Sequence, residues 1–76
     1  MQPEVSFTID GIEYSSGERK LAAGQLLALA GVNVGDHDLA RVVGGEVQKR
    51  FEDSEIVQLV PGAKFVSIFT GPTPVV

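Results

Sequence analysis

The residues able to do chemistry are few and badly placed for it. His37 is the single histidine, and there is no cysteine. A thiol nucleophile, a thiolate zinc site and a disulfide are therefore excluded. One imidazole builds neither a His–His metal pair nor a Ser–His dyad with a spare base. Flanked by Asp36 and Asp38, His37 reads as an exposed turn residue. Glu52, Asp53 and Glu55 crowd a second polar stretch. A general acid/base pair needs a concave, partly dry site to separate its pKa values. A thin single-core domain has no second layer for such a cleft, so solvated turn carboxylates are expected. Gly44-Gly45 is followed by neither GK[ST] nor a helix, and reads as a turn rather than a phosphate loop. Gly24, in Ala23-Gly24-Gln25, could offer helix N-terminal amides to an anion. With nothing nearby to add specificity, packing at a tight helix start is the better reading. No catalytic residue, metal ligand or cofactor is expected, and no enzymatic activity.

Size and charge narrow the partners. A chain of 76 residues makes one domain that buries about 60% of its unfolded surface. Its net charge is −4, and Arg19-Lys20 and Lys49-Arg50 sit beside Glu18, Glu52 and Asp53. Such a mixed surface does not gather phosphates, so neither nucleic acid nor an anionic membrane is an expected partner. The start, Met1-Gln2-Pro3-Glu4, has no basic or apolar targeting region. The stretch Leu26 to Val34 is far short of the ~20 residues of a membrane helix. A cytoplasmic, monomeric protein is the expectation.

Hydrophobic periodicity supplies the elements. Val5, Phe7 and Ile9 alternate with Ser6 and Thr8, and Ile12 and Tyr14 flank Glu13, the period-two mark of half-buried strands. Asp10-Gly11 between them suits a two-residue type I′ turn. This predicts a hairpin over about 4–15, with Val5, Phe7, Ile9, Ile12 and Tyr14 on one face. Leucine and alanine spacing predicts a short helix near 22–30, with Ala23 as N-cap and Gly31 as its left-handed stop. Strands follow near 39–43, 56–60 and 65–70, while Glu46 to Ser54 is mostly polar, a short strand or an irregular excursion. Phe65-Val66-Ser67-Ile68-Phe69 is apolar on both faces, as befits a central strand beneath a helix. Placed beside the first strand, it gives an α+β fold of the β-grasp (ubiquitin-like) type: a mixed four- to five-stranded sheet with one helix on one face. The predicted core is Val5, Phe7, Ile9, Leu26, Leu27, Ala30, Leu39, Leu59 and Phe65. Ala40 and Val42 then point away from the helix, into an exposed apolar patch shared with the off-core face of the last strand.

Residues 1–70 form the predicted domain and 71–76 a flexible arm, Gly71-Pro72-Thr73-Pro74-Val75-Val76. Its prolines prevent it from extending a sheet or a helix.

These blocks resemble a known family. Phe7 to Tyr14, Ala23-Gly24-Gln25-Leu26-Leu27-Ala28-Leu29-Ala30-Gly31, Leu39 to Val43, Asp53 to Leu59 and the Gly62 to Phe65 step follow the pattern of the prokaryotic multiubiquitin domain. The resemblance covers about Val5 to Phe69, and the block from Gly24 to Gly31 is its most specific part. It implies a bacterial ubiquitin-like modifier that works with an adenylating activating enzyme, a conjugating enzyme and a JAB-type metallopeptidase. Two positions depart from the pattern. Ala23 stands where the family usually has threonine, and Pro72 to Val76 follow the last glycine, where a modifier normally exposes a terminal glycine. Gly71 is accordingly the expected conjugation or processing point, with Pro72 to Val76 removed first. Two alternatives stay open: a non-covalent docking module using the sheet surface at Ala40 and Val42, and a sulfur carrier of the same fold, for which the terminal Gly-Gly is missing.

Overall fold

A computed structural model describes residues 4–71. The chain forms β1 (Val5–Ile9), β2 (Ile12–Ser16), β3 (Lys20–Ala22), α1 (Ala23–Leu29), a 3-10 turn (Val34–Asp36), β4 (His37–Val43), β5 (Glu46–Phe51), β6 (Ile56–Gln58) and β7 (Ala63–Phe69). Five strands make the main sheet in the order β2-β1-β7-β4-β5, and β3 pairs with β6 in a separate ribbon. Among the described residues only β1–β7 is parallel; the other pairs are antiparallel. A mixed sheet with one helix on it, and the last strand inserted beside the first, is the β-grasp arrangement expected from the sequence.

Both hairpin turns follow from their dipeptides. Asp10 and Gly11 have φ of 54° and 80°, and Gly44 and Gly45 have 62° and 82°. Positive φ at both central residues is what a two-residue type I′ turn requires. Asp10 does more than turn the chain. Its carboxylate accepts hydrogen bonds from the Ser67 backbone N–H (2.9 Å) and hydroxyl (2.6 Å), and its own N–H donates to the Phe65 carbonyl (2.9 Å). The first hairpin is thereby fastened to β7.

The helix buries Ala23, Leu26 and Leu27. They meet Val5, Phe7, Ile9, Leu39, Phe51, Val57, Leu59, Ala63 and Phe65 in one core. Phe7 and Phe65 pack edge to face at 6.2 Å. Ala30, expected in the core, is only partly buried and packs at its margin. The C-terminus is a Schellman stop: Gly31 N–H donates to Ala28 and Val32 N–H to Leu27. The start departs from expectation by one residue, because Ala22 is the N-cap. Alanine offers no acceptor, so the helix borrows acceptors from elsewhere. Ala23 N–H donates to the Glu55 carbonyl and Gly24 N–H to the Asp53 carbonyl, each at 2.9 Å. Gln25 Oε1 accepts from the Ala22 N–H. Gly24 is therefore a packing glycine, as the sequence favoured: a methyl group there would lie 3.2 Å from the Asp53 carbonyl oxygen and 3.3 Å from Val34.

Of the two readings open for Glu46 to Ser54, the strand is the one formed: β5 folds back on β4 across the Gly44-Gly45 turn. Two other expectations need correction. Ile56–Gln58 lies outside the main sheet, drawn to β3, a strand hidden in what reads as a polar connection. His37 is not an exposed turn residue; it opens β4 and is partly buried.

Leu27→Ala removes a side chain with 0% exposure and should cost about 2–5 kcal/mol, read from urea unfolding. Gly24→Val should lose about 1–3 kcal/mol by forcing the 52–55 turn off the helix. A valine variant as stable as the parent would show that this close approach contributes nothing.

Candidate protein-recognition surface

One helix covers one face of the sheet, and strand register assigns what lies on the other. Phe7 pairs with Ala63 and Ile9 with Phe65 beneath the helix. By the two-residue alternation of strands, Lys64, Val66 and Ile68 of β7 point the opposite way. On β4 their partners are Val42, Ala40 and Asp38 respectively. On β5, Ala40 is opposite Arg50 and Val42 is opposite Val47. Ala40, Val42, Val47, Val66 and Ile68 thus form one apolar strip across three strands. A concavity of about 320 Å³ lies along it, lined by Thr8, Gly11, Val42, Lys64, Phe65 and Val66.

Val42 stands on this face as expected, half-buried, with Val47 opposite it exposed at 51%. Ala40 also faces away from the helix but is not exposed; its accessibility is 0%. Its methyl group lies between Val66 and Arg50, whose longer side chains leave it no access to solvent. Ala40 is the floor of the strip rather than a contact residue. Val47 was hidden in the sequence because it stands among Glu46, Gln48, Lys49 and Arg50. The Gly44-Gly45 turn sets Val47 opposite Val42, and only beyond that pair does a register shift at Arg41/Val42 skip Gln48. Counting back across the Gly44-Gly45 turn is the signal that would have found it.

Charge frames the strip. Arg50 donates to Asp38 at 3.1 Å, and Lys64 is exposed beside Val42. On the opposite face Lys49 lies 2.7 Å from Glu55 and 5.0 Å above the Phe51 ring. The hydrogen bond from Lys49 holds the Glu55 carboxyl below its ordinary value of 4.5; slight desolvation opposes this, and a backbone hydrogen bond from the Glu52 segment assists. The pair ties β5 to the turn whose carbonyls cap α1.

Gly71 lies away from the strip. Just before it, the Thr70 N–H donates to the Asp36 carbonyl at 2.7 Å, and Gly71 itself is partly buried. The expected removable extension, Pro72 to Val76, lies outside the described residues. The site residues from the sequence therefore fall in two places: Ala40 and Val42 together on the sheet, Gly71 at the end of β7.

Among the described residues no group of three or more His, Cys, Asp or Glu side chains is placed to hold a metal, and no helix is long and apolar enough to cross a membrane. No protein-family model, curated protein or solved structure matches the chain.

Because the folded pKa of Glu55 is lowered, its contribution to stability is present above about pH 4.5 and is lost as pH falls through the folded value. Glu55→Gln should lower the urea midpoint slightly at neutral pH. The difference from the parent should vanish in acid and shrink in high salt. A pH-independent difference would exclude the ion pair as its cause.

Proposed function

We propose that this chain is a ubiquitin-like protein modifier of the bacterial multiubiquitin type. Partner proteins read the uncovered face of its sheet, and an adenylating enzyme addresses the segment that follows β7. The apolar strip Val42, Val47, Val66 and Ile68 carries this reading. Contiguous apolar surface on a small domain marks a partner site, and this strip is set on strands rather than loops, with Arg50, Asp38 and Lys64 around it. The strand order favours the second half of the reading: β7 is central, so the chain leaves the sheet from its middle rather than from a fraying edge. The cognate conjugating enzyme and JAB-type peptidase are partners on the same grounds.

A second reading, a non-covalent docking module, is favoured by the hydrogen bond from Thr70 to Asp36. It leaves little free chain between the sheet and Gly71.

The test is ATP-dependent activation by a cognate adenylating enzyme, followed by intact mass of both proteins. The chain ending at Gly71 should be activated and its Gly71→Val variant should fail. The 76-residue chain should need prior trimming. Val42→Asp should weaken binding to the activating or conjugating enzyme at least about tenfold, as expected for a charge placed in a desolvated contact. Activation of the intact chain at Val76, or full activity of Gly71→Val, would exclude Gly71 as the conjugated end. Binding of the enzymes without any adenylate would favour the docking module.

A further inference from the structure

The end of β7 is held by a structure that the modifier chemistry does not require. The segment Asn33–His37 is braced from within. Asn33 Oδ1 accepts from the Gly35 N–H at 3.0 Å, and the Asn33 carbonyl accepts from the Asp36 N–H at 3.3 Å. His37 Nδ1 lies 3.0 Å from the Asn33 carbonyl and 2.6 Å from Asp36 Oδ1. Both neighbours are acceptors, so Nδ1 carries the hydrogen and donates. The imidazole is thereby fixed, and its ring meets the Phe69 ring edge to face at 5.4 Å and 70°. On the same segment, the Asp36 carbonyl takes the Thr70 N–H at 2.7 Å.

Phe69 completes the contact. It is 55% exposed, far more than a core aromatic, yet its ring lies against Gly71. A methyl group built on Gly71 would fall 2.7 Å from Phe69 Cζ, 3.0 Å from Cε1 and 3.2 Å from Asp36 Cβ. Only glycine leaves room for the ring in this position.

We propose that Asn33–His37 and Phe69 form a clasp that holds the backbone of Thr70 and Gly71 on the body of the domain. Opening it gates any enzyme that must draw this segment out. A peptidase or adenylating enzyme takes its substrate as extended chain. With the clasp closed, nothing before Gly71 is available to it. Release of Thr70 and Gly71 adds two residues, about 7 Å of reach. The clasp opens by breaking one backbone hydrogen bond and one ring contact, without loss of core burial. Its presence rests on the contacts alone; the identity of the gated enzyme rests on the modifier reading.

The test follows amide hydrogen exchange at Thr70 in the full chain, with the Phe65 amide as a measure of global folding. Parent Thr70 should be protected. Phe69→Ala removes the ring, and Gly71→Ala displaces it; each should speed Thr70 exchange about tenfold, roughly one hydrogen bond's worth of local stability. The double variant should exchange no faster than Phe69→Ala alone, since both act through one contact. Trimming of the full chain by a non-specific carboxypeptidase should proceed past Gly71 faster in both single variants. An unprotected Thr70 amide in the parent, or additive effects in the double variant, would overturn the clasp. Equal adenylation rates for clasped and opened chains ending at Gly71 would overturn the gating. If exchange and trimming respond but no form is adenylated, the clasp stands and the modifier reading falls.

Discussion

The parallel pairing of β1 with β7 is the join that makes one sheet of the first hairpin and the strands beyond it. Phe7 and Ile9 sit opposite Ala63 and Phe65, 56 positions further on, so most of the chain must be closed into a loop before the pair can form. Loop closure costs only logarithmically more with length, but it is unfavourable until side chains are buried. The compensation is local to the pair: Phe7, Ile9 and Phe65 are each 1% exposed or less. Polar contacts fix the register at both ends. Gly62 N–H donates to the Ser6 carbonyl at one end, and Asp10 holds Ser67 at the other. With β7 in place, β4 can add on its far side and β5 on β4. Without it, β1–β2 is an isolated two-stranded hairpin, which is marginal in water.

That pairing also decides where the helix gets its support. A seven-residue helix is too short to persist by propensity, and its N-cap alanine has no side-chain acceptor for the first helical amides. The 52–55 turn supplies the missing acceptors because β5 delivers it there, and the Lys49–Glu55 contact holds it. The helix is thus capped by tertiary structure rather than by its own sequence. This explains how alanine is tolerated before Gly24. The residue with least freedom to change is the glycine, which lets the turn approach.

Much of this was legible in the chain, and the failures have physical causes. Asp10-Gly11 and the alternation around it gave the hairpin, because a I′ turn and a half-buried face are both local. Gly31 gave the helix stop for the same reason. The two-sided apolarity of Phe65 to Phe69 gave the central strand. What stayed hidden depends on contacts distant in sequence. Lys20–Ala22 is a strand only because Ile56–Gln58 lies beside it, and three residues carry no period of their own. Ala40 has the right face but the wrong exposure, since a methyl group's accessibility is set by its neighbours, not by its direction. His37 reads as solvated from its aspartate neighbours, yet one of them, Asp36, orients it towards Phe69. Of the apolar strip, Val42 was visible and Val47 was not, because Val47 stands alone among polar residues and shows its face only once it is paired across the Gly44-Gly45 turn.

The strip and the clasp meet on one strand. Ile68 lies on the uncovered face and Phe69 points to the other, so in the proposed reading successive residues of β7 would serve recognition and restraint. Thr70 is two residues beyond Ile68, a distance of about 7 Å along an extended chain. A protein seated on the strip therefore lies near the Thr70 backbone, while the Phe69 ring is on the other face. The core leaves no softer route for communication between the two places. Leu39, Ala40 and Phe65 are all buried, and their packing permits little deformation. At the end of β7, by contrast, one backbone hydrogen bond and one exposed ring hold the chain. A partner that drew the Thr70 backbone from Asp36 while resting on Ile68 would couple recognition to release through nearby residues, with the sheet serving as a fixed platform for both.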